Sequence, residues 1–407
     1  MAATTSLFFT GLTDPVALQG SPQLVQYFRK HFSSWPAVIL ENERPARPLF
    51  TIQETKSGYK AIWGTTGATV FQRTIVQLLC DLGIDLAQSF VSLNPSLLCL
   101  HCSSVSIDGR LVVFPKGNRA GKSLLAACLL TRGKTLFADD LMAVTGKGEG
   151  QSFGLPPRLR LPLPPSFTRL NARLESLTTL DDGRYLFVYP HDNDIASFGS
   201  KQPIGAFIMP ERNSRGKARL IPISPSQNLQ HLAYQFQLPL GKAQMVFDTA
   251  KSLSCGPAWI LKYSSVEEAA EVLLSHFERG AGFDAPSCRN DTPQSFFASA
   301  ESSPTTNATL AERKRLAKRT VYYRRQKGGR VNRIGDCAYL IPKGHNEIIF
   351  LNPVALALWT LLEEPLNVAE AAKLLSSLYP DMPLAELEND IASLFWNLQD
   401  KGLISAK

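Results

Sequence analysis

LLCLHCSSVSIDGRLVVFPKGNRAGKSLLAACLLTRGKTLFADDLMAV, residues 97–144, runs an apolar strand through a short loop into Gly121-Lys122-Ser123 and a helix, then ends a second strand on two carboxylates. Phosphate and magnesium chemistry needs that order. Successive backbone N–H groups and a helix N-terminus cradle a β-phosphate, a Lys neutralises the β and γ oxygens, and a Ser hydroxyl ligates the cation. Lys122 and Ser123 fill the last two roles, with Gly117, Asn118, Arg119, Ala120 and Gly121 as the expected cradle. LVVF at 111–114 reads as a strand buried in a parallel sheet, and LLAACLL at 124–130 is too long and too rich in Ala and Leu to be another strand. TLFA at 135–138 delivers Asp139 and Asp140 at a strand's carboxyl end, where open α/β sheets place their ligands. One aspartate suits a metal, and its neighbour suits a proton from an attacking hydroxyl. A solvated loop pair or a helix cap is the plain alternative.

The loop departs from the full phosphate-binding pattern: Lys116 stands where the first Gly belongs, Gly117 follows one place late, and Arg119 occupies an inner Gly position. These side chains either crowd the phosphates or add positive charge to them. The run of His101, Gly-Arg with four apolar residues, GKS, Arg-Gly and Ala-Asp-Asp resembles the catalytic core of HPr kinase/phosphorylase and its relatives, including HPr-kinase-like enzymes encoded beside ribosomal peptide precursors. That resemblance implies an α/β, P-loop-containing core over about residues 97–280, using ATP and Mg2+. It also implies Lys122 as the P-loop lysine, Ser123 and Asp139 as metal ligands, His101 as a site histidine and Asp140 as the catalytic aspartate. The longer downstream signature of the bifunctional members is not found, so the likeness implies a kinase alone.

Outside that run, Arg158 and Arg160 in GLPPRLRLPLP lie two apart, so in an extended segment both guanidinium groups face one side and suit transferring phosphoryl charge. Two surface arginines in a Pro-stiffened loop fit the same letters. Arg184, in DDGRYLF, reads equally as part of a hairpin turn. His101, between Cys99 and Cys102, is either a core residue or a site histidine whose titration near neutrality suits proton handling. The seven cysteines form neither a disulfide framework nor paired zinc knuckles, and Cys99 and Cys102 read as core residues on opposite faces of one strand.

With 44% hydrophobic residues in 407, the chain is long enough for two or three cores. The expected domains are an N-terminal α/β region at 1–95, a P-loop domain at 96–280, a flexible basic linker at 281–327 and a C-terminal domain at 328–407. No stretch reads as a spanning helix and the first residues lack a basic leader, so the expectation is a cytoplasmic protein without a membrane partner. Residues 69–90 read as one amphipathic helix or two. Residues 311–330 hold nine Lys/Arg against one Glu, the whole of the chain's net charge of +8, which reads as a solvated tether or peptide-attracting arm and signals no specific nucleic acid.

Beyond the linker, strand-like CAYLI and EIIF precede three amphipathic helices at 355–362, 368–378 and about 384–401. With Leu351-Asn352-Pro353, Leu358-Trp359 and Lys401-Gly402-Leu403-Ile404, this unit resembles PqqD-type domains. That likeness implies a winged-helix α+β fold that binds leader peptides by adding them as a strand to a sheet edge. Trp359 and Trp396 read as packing, and His345 as solvated. Joined, the two likenesses imply a kinase for a Ser/Thr hydroxyl of a precursor peptide held by residues 328–407. A nucleotide-gated peptide chaperone and a small-molecule kinase are the alternatives, and a homo-oligomer is compatible with either.

Overall fold

A computed structural model describes all residues except 1–3, 43–44, 116–119, 165–166, 238–240, 279, 285–316, 327, 335–336, 345–346 and 378–381. Lys116, Gly117, Asn118, Arg119 and His345, and most of the expected linker, therefore lie outside the described residues. The chain divides into two compact units near residue 288.

The first unit opens with a six-stranded sheet in the order Ala37–Glu41, Thr4–Phe9, Val16–Gln19, Phe50–Thr55, Gly58–Trp63, Thr69–Gln72. It is antiparallel except between Val16–Gln19 and Phe50–Thr55. Its inner face packs on the helices Pro22–His31 and Ile75–Leu93. The expected helix from 69 onward is corrected here. Thr69–Gln72 pairs with Gly58–Trp63 as a strand, as its β-branched and aromatic residues favour, and the helix starts only where Thr74 accepts from Gln77 N. Ile75–Leu93 also corrects the reading that no stretch could span a membrane: its length and composition suffice, with Asp81 and Asp85 as its charges. Half of that apolar window is buried, through residues such as Leu79, Leu82 and Leu86.

Beside it lies a ten-stranded mixed sheet whose main path runs Thr135–Ala138, Ser103–Ile107, Arg110–Phe114, Lys201–Arg212, Glu149–Gln151, Leu141–Thr145, Leu97–His101, Phe236–Gln237. Ala258–Tyr263 joins Lys201–Arg212 in parallel and Arg219–Pro222 antiparallel. The LVVF strand is thus parallel to one neighbour and antiparallel to the other, not embedded in a wholly parallel sheet. Arg110–Phe114 and Thr135–Ala138 are both antiparallel to the strand between them, so they point the same way and end at the same edge. The helix Lys122–Leu130 is buried nearly all round against Val266–Phe277 and the sheet, which accounts for its unbroken apolar letters. A small sheet of Arg158–Arg160, Tyr185–Tyr189 and Thr178–Asp181 completes the unit, with Arg184 at its hairpin turn.

The N-terminal sheet and the strands that follow share one core. Leu7, Val16, Phe50 and Leu86 cluster with Cys99, Leu141, Ala143, Phe153 and Phe187. Trp35 stacks on Phe198 at 4.5 Å and on Phe153 at 5.7 Å, while its Nε1 donates to Thr10 O at 3.0 Å.

The C-terminal unit carries the strands Arg330–Ile334, Cys337–Ile341 and Ile349–Leu351 in that order, then the helices Pro353–Leu361, Val368–Ser376 and Leu384–Asp400. Tyr323–Arg325 pairs with Ile404–Ala406. Asn352 and Asn367 cap the first two helices by accepting from Ala355 N and Glu370 N. Trp359 is buried in the core formed by Leu358, Phe395 and Leu398, and Trp396 packs against it.

Trp35→Ala should lower unfolding stability by about 3–5 kcal/mol, the usual loss for emptying a buried aromatic site. Urea unfolding checks this, and a loss below about 1 kcal/mol would show that the shared aromatic core closes over the gap.

Candidate functional site

Two strand passes change direction at one point. Leu97–His101 ends at Cys102 and the chain resumes as Ser103–Ile107, while Thr135–Ala138 ends at Asp139-Asp140 and resumes as Leu141–Thr145. Cys102 N donates to Asp140 O at 3.2 Å and ties the two crossings together. Cys99 therefore lies in the strand and Cys102 at the break that follows it, and both are buried free thiols. Asp140 adopts a left-handed backbone (φ 66°), which short polar side chains tolerate better than most.

Asp139 is 3% exposed. Its carboxylate accepts from Ser103 Oγ, from the Ser123 side chain and from Arg158 N at 2.9 Å. Burial, then the charge of Asp140, raises its pKa to about 6 against the pull of those donors. Asp140 forms an ion pair with Arg158, Nη2 to Oδ2 at 2.7 Å. Arg158 also stacks over the Tyr185 ring at 4.9 Å and hydrogen-bonds the Cys80 thiol. Its guanidinium stays charged: the two carboxylates and Cys80 outweigh its desolvation.

Lys122 is buried, with Nζ 3.1 Å from His101 Nε2, and burial lowers its pKa while Cys102 and both aspartates raise it. An ammonium donating to Nε2 needs the neutral ring. Burial and then the Lys122 charge push the His101 pKa down to about 4, so the expectation of titration near neutrality is corrected. Gly121 supplies the left-handed turn (φ 85°) that starts the helix, and a Cβ there would run into Tyr263 Oη, which bonds Ala120 O at 3.4 Å.

His101, Lys122, Ser123, Asp139, Asp140 and Arg158 thus come together, with Ala120 and Gly121 beside them. Arg160 does not join them: it shares Arg158's face of the strand but lies two residues further along, opposite Tyr185, where it is exposed. Sequence reasoning passed over Ser103, Cys80 and Tyr263. Ser103 lies 36 residues from its aspartate and Tyr263 lies 143 from its carbonyl, so no local spacing marks either one.

Among the described residues no cluster of three His, Cys, Asp or Glu side chains forms a complete metal cage. The donors present, a Ser hydroxyl bonded to one carboxylate with a second carboxylate adjacent, fit a hard cation that takes its other ligands from phosphate oxygens and water. Ser123 and Asp139 would hold it.

Residues 337–404 match the family described as coenzyme PQQ synthesis protein D (PqqD). The C-terminal unit therefore contains a PqqD-like domain. No curated protein matches the chain.

Between pH 4 and 6 the folded chain keeps a proton on Asp139 that the unfolded chain has released, so this group makes stability fall as pH rises. His101 acts oppositely: from about 4 to 6.5 the unfolded chain binds a proton the folded chain refuses, so stability rises with pH. Relative to wild type in buffer without divalent cations, Asp139→Asn should rise more steeply with pH across this window and His101→Gln less steeply. Urea midpoints at several pH values read the slopes, and three parallel profiles would contradict both assignments.

Proposed function

We propose that the chain is an ATP-dependent kinase for a Ser or Thr hydroxyl of a precursor peptide held by its PqqD-like domain. The observation that carries this reading is the convergence of Ser123, Asp139, Asp140, Lys122 and Arg158 at the start of a helix opened by a left-handed glycine. The resemblance to HPr kinase draws on Lys122, Ser123, Asp139 and Asp140 among these residues, and not on Arg158. Edge addition of a leader to a sheet suits the three-stranded sheet of the C-terminal unit, whose outer strands are Arg330–Ile334 and Ile349–Leu351.

In this reading Mg2+, when bound, screens the β and γ oxygens. Lys122 neutralises phosphate charge next to the backbone N–H groups at the helix start. Asp140 orients the acceptor hydroxyl and takes its proton as the hydroxyl oxygen bonds to the γ-phosphorus and the bond to the bridging oxygen breaks, releasing ADP. Arg158 exchanges Asp140 for γ-phosphate oxygens, since a guanidinium serves carboxylate and phosphoryl groups alike. Ser103 keeps Asp139 facing Ser123. Joining the peptide-holding domain covalently to the catalytic unit raises the local concentration of acceptor and compensates for weak contacts around the hydroxyl.

The test is transfer of labelled γ-phosphate from ATP to Ser-containing peptides retained by the full chain, with intact mass locating the added phosphate. Lys122→Ala and Asp140→Asn should each lower the rate by about 10²-fold or more. Wild-type rates in both variants, or no transfer by wild type to any retained peptide, would overturn the kinase reading; the second result leaves a peptide holder. The ion pair that occupies Asp140 in this structure is the observation favouring that second reading.

A further inference from the structure

The loop Arg212-Asn213-Ser214-Arg215-Gly216-Lys217-Ala218-Arg219 carries four cations and no acid, and joins the sheet strands Lys201–Arg212 and Arg219–Pro222. All four cationic residues are exposed. Lys262 lies directly opposite Arg219 in the antiparallel register and opposite Glu211, the residue before the loop, in the parallel one, so it faces one cation and one acid. Summed over residues outside 311–330, the chain's charge is zero, so this concentration of charge is invisible in the total.

The loop is built against the candidate site. Asn213 N donates to Tyr263 O at 2.7 Å, and Ser264 Oγ donates to Gly216 O at 2.7 Å, so both sides of the loop are fastened to the end of Ala258–Tyr263. Arg212 lies opposite Tyr263 in the parallel register, and its charge acts on the Tyr263 hydroxyl. That hydroxyl donates to Ala120 O and fills the space a Cβ on Gly121 would need. Arg110–Phe114, Lys201–Arg212 and Ala258–Tyr263 are parallel, so the cationic loop stands at the sheet edge to which the phosphate-loop strand also runs.

We propose that the 212–219 loop docks an acidic stretch of the acceptor peptide, holding it beside the Gly121 helix start. This inference rests on the peptide-kinase reading for its functional meaning, but its binding step needs neither ATP nor catalysis. Three Arg forks and a Lys match side-chain carboxylates spaced along an extended peptide. The residues between them, Asn213, Ser214, Gly216 and Ala218, include no aromatic ring on which a base could stack, which favours peptide over single-stranded nucleic acid.

The experiment uses the full-length chain and a fluorescein-labelled oligoglutamate peptide ending in Ser, followed by anisotropy without nucleotide. R212Q/R215Q/K217Q/R219Q should weaken binding by about tenfold or more and flatten its salt dependence. A charge-matched control, K56Q/K147Q/K201Q/K251Q, removes four exposed lysines elsewhere and should change affinity by less than about twofold. Thermal melts of both variants monitor folding. Equal losses in the two variants, or no loss in the loop variant, would overturn the proposal. So would a loop variant that loses inorganic tripolyphosphate binding while keeping the peptide, or wild-type binding of oligouridylate tighter than of the peptide. Once the docking result is in hand, a rise in acceptor KM with kcat retained in the loop variant ties it to transfer; failure of transfer in wild type leaves the docking measurement intact.

Discussion

The crossing of two strands at Cys102 and Asp140 is the constraint on which the candidate site depends. Each strand leaves one half of the large sheet for the other at this point, and the Cys102 N to Asp140 O bond pins the turns to each other. Because both chains bend there, Asp139 and Ser103 face inward together, and Asp140 turns its side chain toward Arg158. The left-handed backbone of Asp140 costs on the order of 1–2 kcal/mol. It persists because the ion pair, the Leu141 N to Asp139 O bond at 2.9 Å and the strand pairing of Leu141 with His101 over-determine it.

Charge in this crossing is arranged in pairs. Two carboxylates, Asp139 and Asp140, stand with two cations, Lys122 and Arg158, in surroundings that penalise any imbalance. The same burial keeps His101 neutral and draws a proton toward Asp139. On the kinase reading proposed above, a polyanion with a divalent cation would repartner all four groups together, so that no lone buried charge is exposed.

Much of this was legible in residues 97–144. The apolar runs at 111–114, 124–130 and 135–138 formed their strand, helix and strand because each is long enough, and apolar enough on the required faces, to choose its period. The C-terminal helices were legible for the same reason, with Asn352 and Asn367 marking two of their starts. What the sequence hid was non-local. The break at Cys102 has no Gly or Pro to announce it. Residues 69–72 took strand form because Gly58–Trp63 offered an edge, and His101 lost its neutral-pH titration to burial in the fold and to a lysine 21 residues away. Arg158 and Arg160 looked equivalent by spacing, and only the position of Asp140 distinguishes them.

The hydrophobic cluster beneath the carboxylate strand has a bearing on how this chain could be recombined. Leu141 and Ala143, immediately after the aspartates, contribute to the same core as Leu7, Val16 and Phe50. Residues from the first 95 form the floor on which the aspartate turn rests, and Cys80 among them hydrogen-bonds Arg158. A shuffled chimera that replaces them must reproduce an inner surface complementary to Leu141, Ala143 and Phe153. Inheritance of the site therefore extends to the N-terminal sheet that shares its core.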